Sequence, residues 1–317
     1  MPEIAVAGAL ASAAATLARG SERHARGGTA DAGIESPGEE ARALLASLLD
    51  VRRSWPMHHA DEVLDPDVVD ALLRAADKRA RGAPIQYATG RAAFRHLTLA
   101  VDERVLIPRP ETEVLVDLAL ERCEGGTAAD IGTGSGCIAL SLASEGKFAR
   151  VIATDVSADA VSVARANADR VRGVLRAPVE FRVGSLLAPI AGERVTMVVS
   201  NPPYIATAEA LALPALVRDW EPAIALYSAN DGMAHITALG REAAAVLVAG
   251  GWLLLEVDAR RAELAAETVR AGGWYDEVAL HRDLTGRDRF VVARRAAAAD
   301  ATVPNVQAPA RAQSGAR

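Results

Sequence analysis

Residues 129–143, "ADIGTGSGCIALSLA", decide the fold. An apolar run ends at Ile131, glycines follow at Gly132, Gly134 and Gly136, and an Ala- and Leu-rich helical stretch begins at once. A chain that turns this tightly from strand to helix needs residues without a Cβ where a ligand approaches the backbone. Thr133 and Ser135 fill the gaps in a G-x-G-x-G spacing. The position at which a dinucleotide fingerprint carries its last glycine holds Cys137, which counts against a nicotinamide cofactor. A lone glycine loop is a weak signal, so its surroundings must give it meaning.

Segments 128–131, 151–154, 179–183, 195–200, 252–257, 277–281 and 289–293 read as strands, and amphipathic helical stretches separate most of them. The pattern predicts an α/β fold with a largely parallel seven-stranded sheet and helices on both faces. Asp155 closes the second strand in "VIATDVS". A carboxylate there accepts both hydroxyls of an adenosine ribose; capping the next helix is the competing role, which Ser157 fills equally well. Ligands in such sheets sit beyond the carboxyl ends of the strands, near the switch in strand order.

The fourth strand runs onto that rim in "VVSNPPYI", residues 198–205. Pro202 and Pro203 lack an N–H and have a fixed φ, so they end the ladder and hold the next residues in one extended shape. The Asn201 side-chain oxygen and the Pro202 carbonyl are two acceptors, suited to a planar NH₂ with two hydrogens to donate. Tyr204 adds an aromatic face for a planar amide or base. A stiff turn closed by an Asx side-chain bond is the alternative.

Composition bounds the rest. The chain has 317 residues, half of them hydrophobic, 24% charged, with a net charge of −6. These values fit an ordinary globular protein of roughly two domains and argue mildly against nonspecific binding to a phosphate backbone. Cys123 and Cys137 show neither metal spacing nor a disulfide framework, so both are expected to be small apolar fillers in a reducing cytoplasm, with no metal site. The Ala-rich N-terminus lacks a basic n-region and a run of about 18 large apolar residues, so it reads as an ordinary helix and not as a signal peptide or membrane span.

Residues 4–82 have a helical pattern, broken by a mobile connection over residues 19–40. A capped helix starts after Ser36, and a third spans residues 65–82 with a basic end, 74–81, read as a solvated face or as a contact for an acidic or RNA-bound partner. "APIQYATG" and "AAFRHLTLAVDERVLI" suggest a short hairpin between domains. The expected division is a helical substrate-recognition domain over 1–88, a β-hairpin linker over 89–103, a catalytic domain over 104–294 and a disordered tail over 295–317.

The glycine loop with a second-strand acid is similar to that of class I S-adenosylmethionine-dependent methyltransferases. "GAPIQYATG", "VLIPRPETEVLV", "DIGTGSGCIAL", "VVSNPPYI", "WEPAIAL", "DG" at 231–232 and "GRDRF" then stand in the order found in the protein-(glutamine-N5) methyltransferases. Within these the chain most resembles the release factor type, the PrmC or HemK type, over about residues 36–294. The resemblance implies a Rossmann-like methyltransferase domain behind a small helical domain, S-adenosyl-L-methionine as cofactor, and class 1 peptide chain release factors as partners. It implies methyl transfer to the glutamine side chain of their Gly-Gly-Gln motif.

By the same resemblance, Gly132, Thr133, Gly134, Ser135 and Gly136 line the cofactor, Asp155 holds its ribose and Leu186 lies near the adenine. Asn201, Pro202, Pro203 and Tyr204 bind the glutamine, Asn201 also meets the cofactor, and Asn201, Pro202 and Tyr204 serve catalysis. A monomer without direct nucleic-acid contact is expected. In "RPETE", Arg109, Glu111 and Glu113 either cap a helix or lie on the rim, and a direct cofactor contact by Thr112 or Glu113 stays open. Ser185, Ser228, Ala229, Asp258 and Arg261 depart from the family pattern. A ribosomal-protein glutamine methyltransferase, an adenine-N6 methyltransferase and a noncatalytic scaffold are the competing functions.

Overall fold

The computed structural model of the chain describes residues 3–27, 34–122 and 124–297. Cys123, the connection at 28–33 and the tail from 298 lie outside them. The chain forms two units, one of residues up to Ala92 with Ala100–Glu103 and Leu211–Glu221, the other of Ala93–Leu99, Arg104–Ala210 and residues from Pro222.

In the first unit, helices α1 (Val6–Gly27), α2 (Pro37–Leu49) and α3 (Pro66–Ala80) bury Leu17, Leu44, Leu45 and Leu72 against one another. The structure corrects several expectations here. Helix α1 runs on to Gly27, through residues assigned to the mobile connection. Ile4–Ala5 and Val63–Leu64 form a two-residue antiparallel pair in a region read as wholly helical. "APIQYATG" holds a short helix, Ile85–Thr89, that ends on Gly90 at φ +70°, and only then does the hairpin begin. The basic end of α3 is not simply solvated, because Arg79 is buried and paired with Glu40 at 3.0 Å, while Lys78 pairs with Glu103. A charge withdrawn from water must be paired, and this one is.

The second unit is built on a seven-stranded sheet of β1 (Thr127–Ile131), β2 (Arg150–Asp155), β3 (Val179–Val183), β4 (Val195–Ser200), β5 (Leu247–Glu256), β6 (Tyr275–Arg282) and β7 (Asp288–Arg295). The strands lie in the order β6-β7-β5-β4-β1-β2-β3. Strands β1 to β5 run parallel, and β7 is antiparallel to both its neighbours. Alternation along the strands fills two cores. Val198, Leu253, Leu255 and Val291 face one, with helices α7 (Ala234–Val246) and α8 (Ala262–Ala271) packed on it. Met197, Val199, Leu254 and Val292 face the other, under α4 (Pro110–Glu121) and α5 (Cys137–Glu145). Burial on both faces is why these strands read as continuous apolar runs.

Strand β7 extends through Arg295, one residue into the expected tail. The Arg295 guanidinium is satisfied there by the carbonyls of Ala244 and Trp274, at 3.1 and 2.7 Å. Strands Arg91–Phe94 and Leu97–Ala100 pair as the hairpin. At its tip Arg95 takes φ +53°, donates to both oxygens of Glu145 at 2.7 and 2.8 Å and to the Glu113 carbonyl, and its backbone N–H donates to the Glu113 carboxylate. Glu113 thus serves the hairpin.

Leu254 is fully buried between β4 and β7. Leu254→Ala is expected to cost about 2 to 5 kcal/mol, read as a lower midpoint in thermal or urea unfolding.

Candidate active site

Strands β1 and β4 are hydrogen-bonded neighbours, and the helices that follow them, α5 and α7, pack on opposite faces of the sheet, so their carboxyl ends flank the switch in strand order. The Ser200 hydroxyl ties them by donating to the Ile131 carbonyl at 2.6 Å. A cavity of about 330 Å³ opens on this rim, lined by Gly132, Gly134, Asp155, Ser185, Leu186, Asn201, Pro202 and Pro203 among others.

The glycine loop is shaped from beneath. Asp130, fully buried in β1, accepts from the Thr133 hydroxyl at 2.6 Å and from the Ala139 N–H at 3.1 Å. Burial pushes its carboxyl up to about 7. The Ser135 carbonyl accepts from buried Asn167 at 2.9 Å, and Gly136 caps α5 at φ +85° with Ala164 too close for a Cβ to fit freely. Thr133, Ser135 and Gly136 therefore fix the loop without lining the cavity. Gly132 and Gly134 have φ of +75° and +53°, and a Cβ on either would point into open space.

Asp155 lies at the cavity wall. Its Oδ2 accepts from the Gly134 N–H and its Oδ1 from the Ser157 N–H, both at 2.9 Å, while Ser157 caps helix α6 (Ala158–Arg170) itself. Capping is thus not the task of Asp155. Each carboxylate oxygen retains a lone pair for a further donor. Leu186, at φ +48°, lines the same space beside Ser185. Glycines that leave room at the backbone, an acid with acceptor capacity to spare and an apolar wall fit an adenosine-bearing cofactor.

On the other side, "NPPY" presents Asn201, Pro202 and Pro203 to the cavity, whereas Tyr204 packs against the core with its hydroxyl 3.4 Å from Glu256 Oε1. The Asn201 Nδ2 donates to the Thr112 hydroxyl at 3.0 Å, which donates to Glu256 Oε2 at 2.7 Å. That leaves Asn201 Oδ1 as the acceptor. Burial pushes the Glu256 carboxyl up to about 7 and raises the Tyr204 phenol above its usual range. Gly232 of the "DG" pair is needed at its place, since at φ +88° a Cβ would fall 2.2 Å from the Tyr204 carbonyl.

Thr112 and Glu113 do not line the cavity, and Arg109, the residue before α4, makes no side-chain cap bond. Of the departures, Ser185 lines the cavity. Ser228 bonds His235 at 2.8 Å, which also lines it, and Ala229 is exposed. Asp258 and Arg261 stand apart from it, joined to each other at 3.0 Å, with Arg261 reaching Glu209 at 2.9 Å. Cys137 packs against the core as a filler would, and burial pushes its thiol up to about 12. Sequence reasoning missed Asp130, Glu256, Arg289 and His235 as site residues. Asp130 and Arg289 carried a signal, through "DIGTGSGCIAL" and "GRDRF". Among the described residues no His, Cys, Asp or Glu cluster suits a metal, and no helix is long and apolar enough to cross a membrane.

The strand order, the glycine loop after β1 and the acid ending β2 define a class I S-adenosylmethionine-dependent methyltransferase. The family model of the PrmC N-terminal domain matches residues 23–90, and that of the methyltransferase small domain matches residues 110–218. A release factor glutamine methyltransferase of Deinococcus radiodurans is 42% identical over 84% of this chain and 94% of its own length. One from Moorella thermoacetica is 42% identical over 83% and 93%. A solved methyltransferase of Pyrococcus furiosus has a TM-score of 0.49 at 18% identity, covering 64% of this chain and 91% of that one. The chain belongs to the release factor glutamine methyltransferase family.

Between about pH 4 and pH 7 the native state holds a proton on Asp130 that the unfolded chain has released, so stability falls as pH rises through that window. Asp130→Asn is expected to flatten the fall. Melting temperatures measured across the window, superimposing for the two proteins, would contradict the assignment.

Proposed function

We propose that this chain transfers a methyl group from S-adenosylmethionine to the side-chain amide nitrogen of the glutamine in the Gly-Gly-Gln motif of class 1 release factors. The observation that carries the reading is the Asn201 amide, whose donor end is taken by Thr112 so that its acceptor end is left beside the glycine loop. The relatives from Deinococcus radiodurans and Moorella thermoacetica are release factor glutamine methyltransferases, which supports the choice of substrate.

The cofactor supplies a methyl group already electrophilic on its sulfonium. Gly132 and Gly134 would let it lie against the backbone, Asp155 would accept from its ribose, and Leu186 would pack beside its adenine. Asn201 Oδ1 and the Pro202 carbonyl accept the two hydrogens of the glutamine NH₂. An amide nitrogen is a poor nucleophile because its lone pair is delocalised, and two fixed acceptors favour the positive charge that grows on it as the N–C bond forms while the S–C bond breaks and its electron pair stays on sulfur; the nitrogen then releases one proton to solvent. The prolines hold the second acceptor in place, and the apolar wall keeps water out.

Tyr204 is assigned to holding the motif, its ring packed inward. The helical domain, over residues 1–88, is assigned to recognising the release factor. The chain is assigned to the cytoplasm as a monomer, and its net charge of −6 supports action on protein and not on nucleic acid.

Tritium transfer from labelled cofactor, run in parallel on release factor, ribosomal protein and nucleic acid, tests the reading. Label is expected on release factor alone and is lost when the Gly-Gly-Gln glutamine is changed to alanine. Label that persists on that altered substrate would sink the assignment. Asn201→Ala is expected to lower the rate by about tenfold or more while the far-ultraviolet circular dichroism spectrum stays unchanged.

A further inference from the structure

An asparagine amide is nearly the same shape either way round, so a site that needs its oxygen in one place must impose the direction. Asn201 does not impose it alone. Among the described residues its side-chain partner is the hydroxyl of Thr112, which is 2% exposed and comes from the first turn of α4, far away in sequence. A hydroxyl has one proton. Thr112 gives its proton to Glu256 Oε2 at 2.7 Å, so towards Asn201 it only accepts, and it must therefore meet Nδ2.

The same carboxylate reaches the far end of the motif. Glu256 Oε1 lies 3.4 Å from the Tyr204 hydroxyl and 3.9 Å from the Arg289 guanidinium, and Arg289 is itself held by Asp283 at 3.4 Å. Glu256 is 1% exposed, so water does not compete for either oxygen. Two polar groups of "NPPY" are thus referred to one buried acid at the end of β5.

We infer that Thr112 and Glu256 are positioning residues for methyl transfer, acting through Asn201: their directed hydrogen-bond chain turns the Asn201 carbonyl oxygen towards the incoming glutamine NH₂. The inference rests on the proposed function for its substrate. Neither residue lines the cavity, so neither is expected to touch the cofactor or the glutamine.

The test compares Thr112→Val, which keeps the shape and removes the hydroxyl, with Thr112→Ser, which keeps the hydroxyl. On release factor, T112V is expected to lower kcat by about tenfold or more, with the cofactor Kd by calorimetry unchanged, and T112S to restore most of the loss. A kcat for T112V equal to wild type, or T112S as impaired as T112V, overturns the inference. If wild type itself methylates no release factor, the substrate reading has failed instead. The positioning is then judged by nitrogen-15 NMR, where the Asn201 side-chain amide protons should exchange about tenfold faster or more in T112V. Equal exchange in the two proteins overturns it.

Discussion

A carboxylate removed from water at the end of a strand must be surrounded by donors, and at Glu256 that demand organises the whole rim. Thr112 from α4, Tyr204 from the loop after β4 and Arg289 from β7 all converge on it. Three segments distant in sequence are thereby held to one point. The loop that carries Asn201 has no freedom to drift, because its two ends are bonded through the same acid.

Asp130 plays the corresponding part on the other side of the cavity. Buried within β1, it draws in the Thr133 hydroxyl and the first turn of α5, and so sets the curvature that leaves Gly132 and Gly134 facing open space. Both acids carry raised pKa values from the same cause, loss of hydration. Their ionised forms are strained by burial and relieved by donors, so each makes its neighbourhood rigid at the expense of its own solvation. A methyltransferase site gains from such rigidity, since its chief work is alignment.

Three of the positions that depart from the family pattern, Ser228, Asp258 and Arg261, have side-chain partners in this chain. Asp258 and Arg261 pair with each other, and Arg261 extends to Glu209, whose other oxygen accepts from the Ala206 N–H. That network ties the segment after β5 to the segment after "NPPY". Ser228 likewise has a partner in His235, a cavity residue.

The sequence by itself determined the seven strands, their parallel core, the glycine loop, Asp155 and "NPPY", because these follow from local rules: two-sided burial gives apolar runs, tight turns demand glycine, and proline ends a ladder. Segments such as "RPETE" and "GRDRF" pointed to the family without revealing what their residues do. Only the tertiary structure decided that Glu113 serves the hairpin through Arg95, that Thr112 faces Glu256, and that Arg79 is buried on Glu40. It also carried α1 through a Gly- and Ser-containing stretch that reads as a loop. The physical reason is the same in each case. A polar side chain's partner is chosen by which segments packing brings together, and no spacing along the chain encodes a bond between residues 112 and 256.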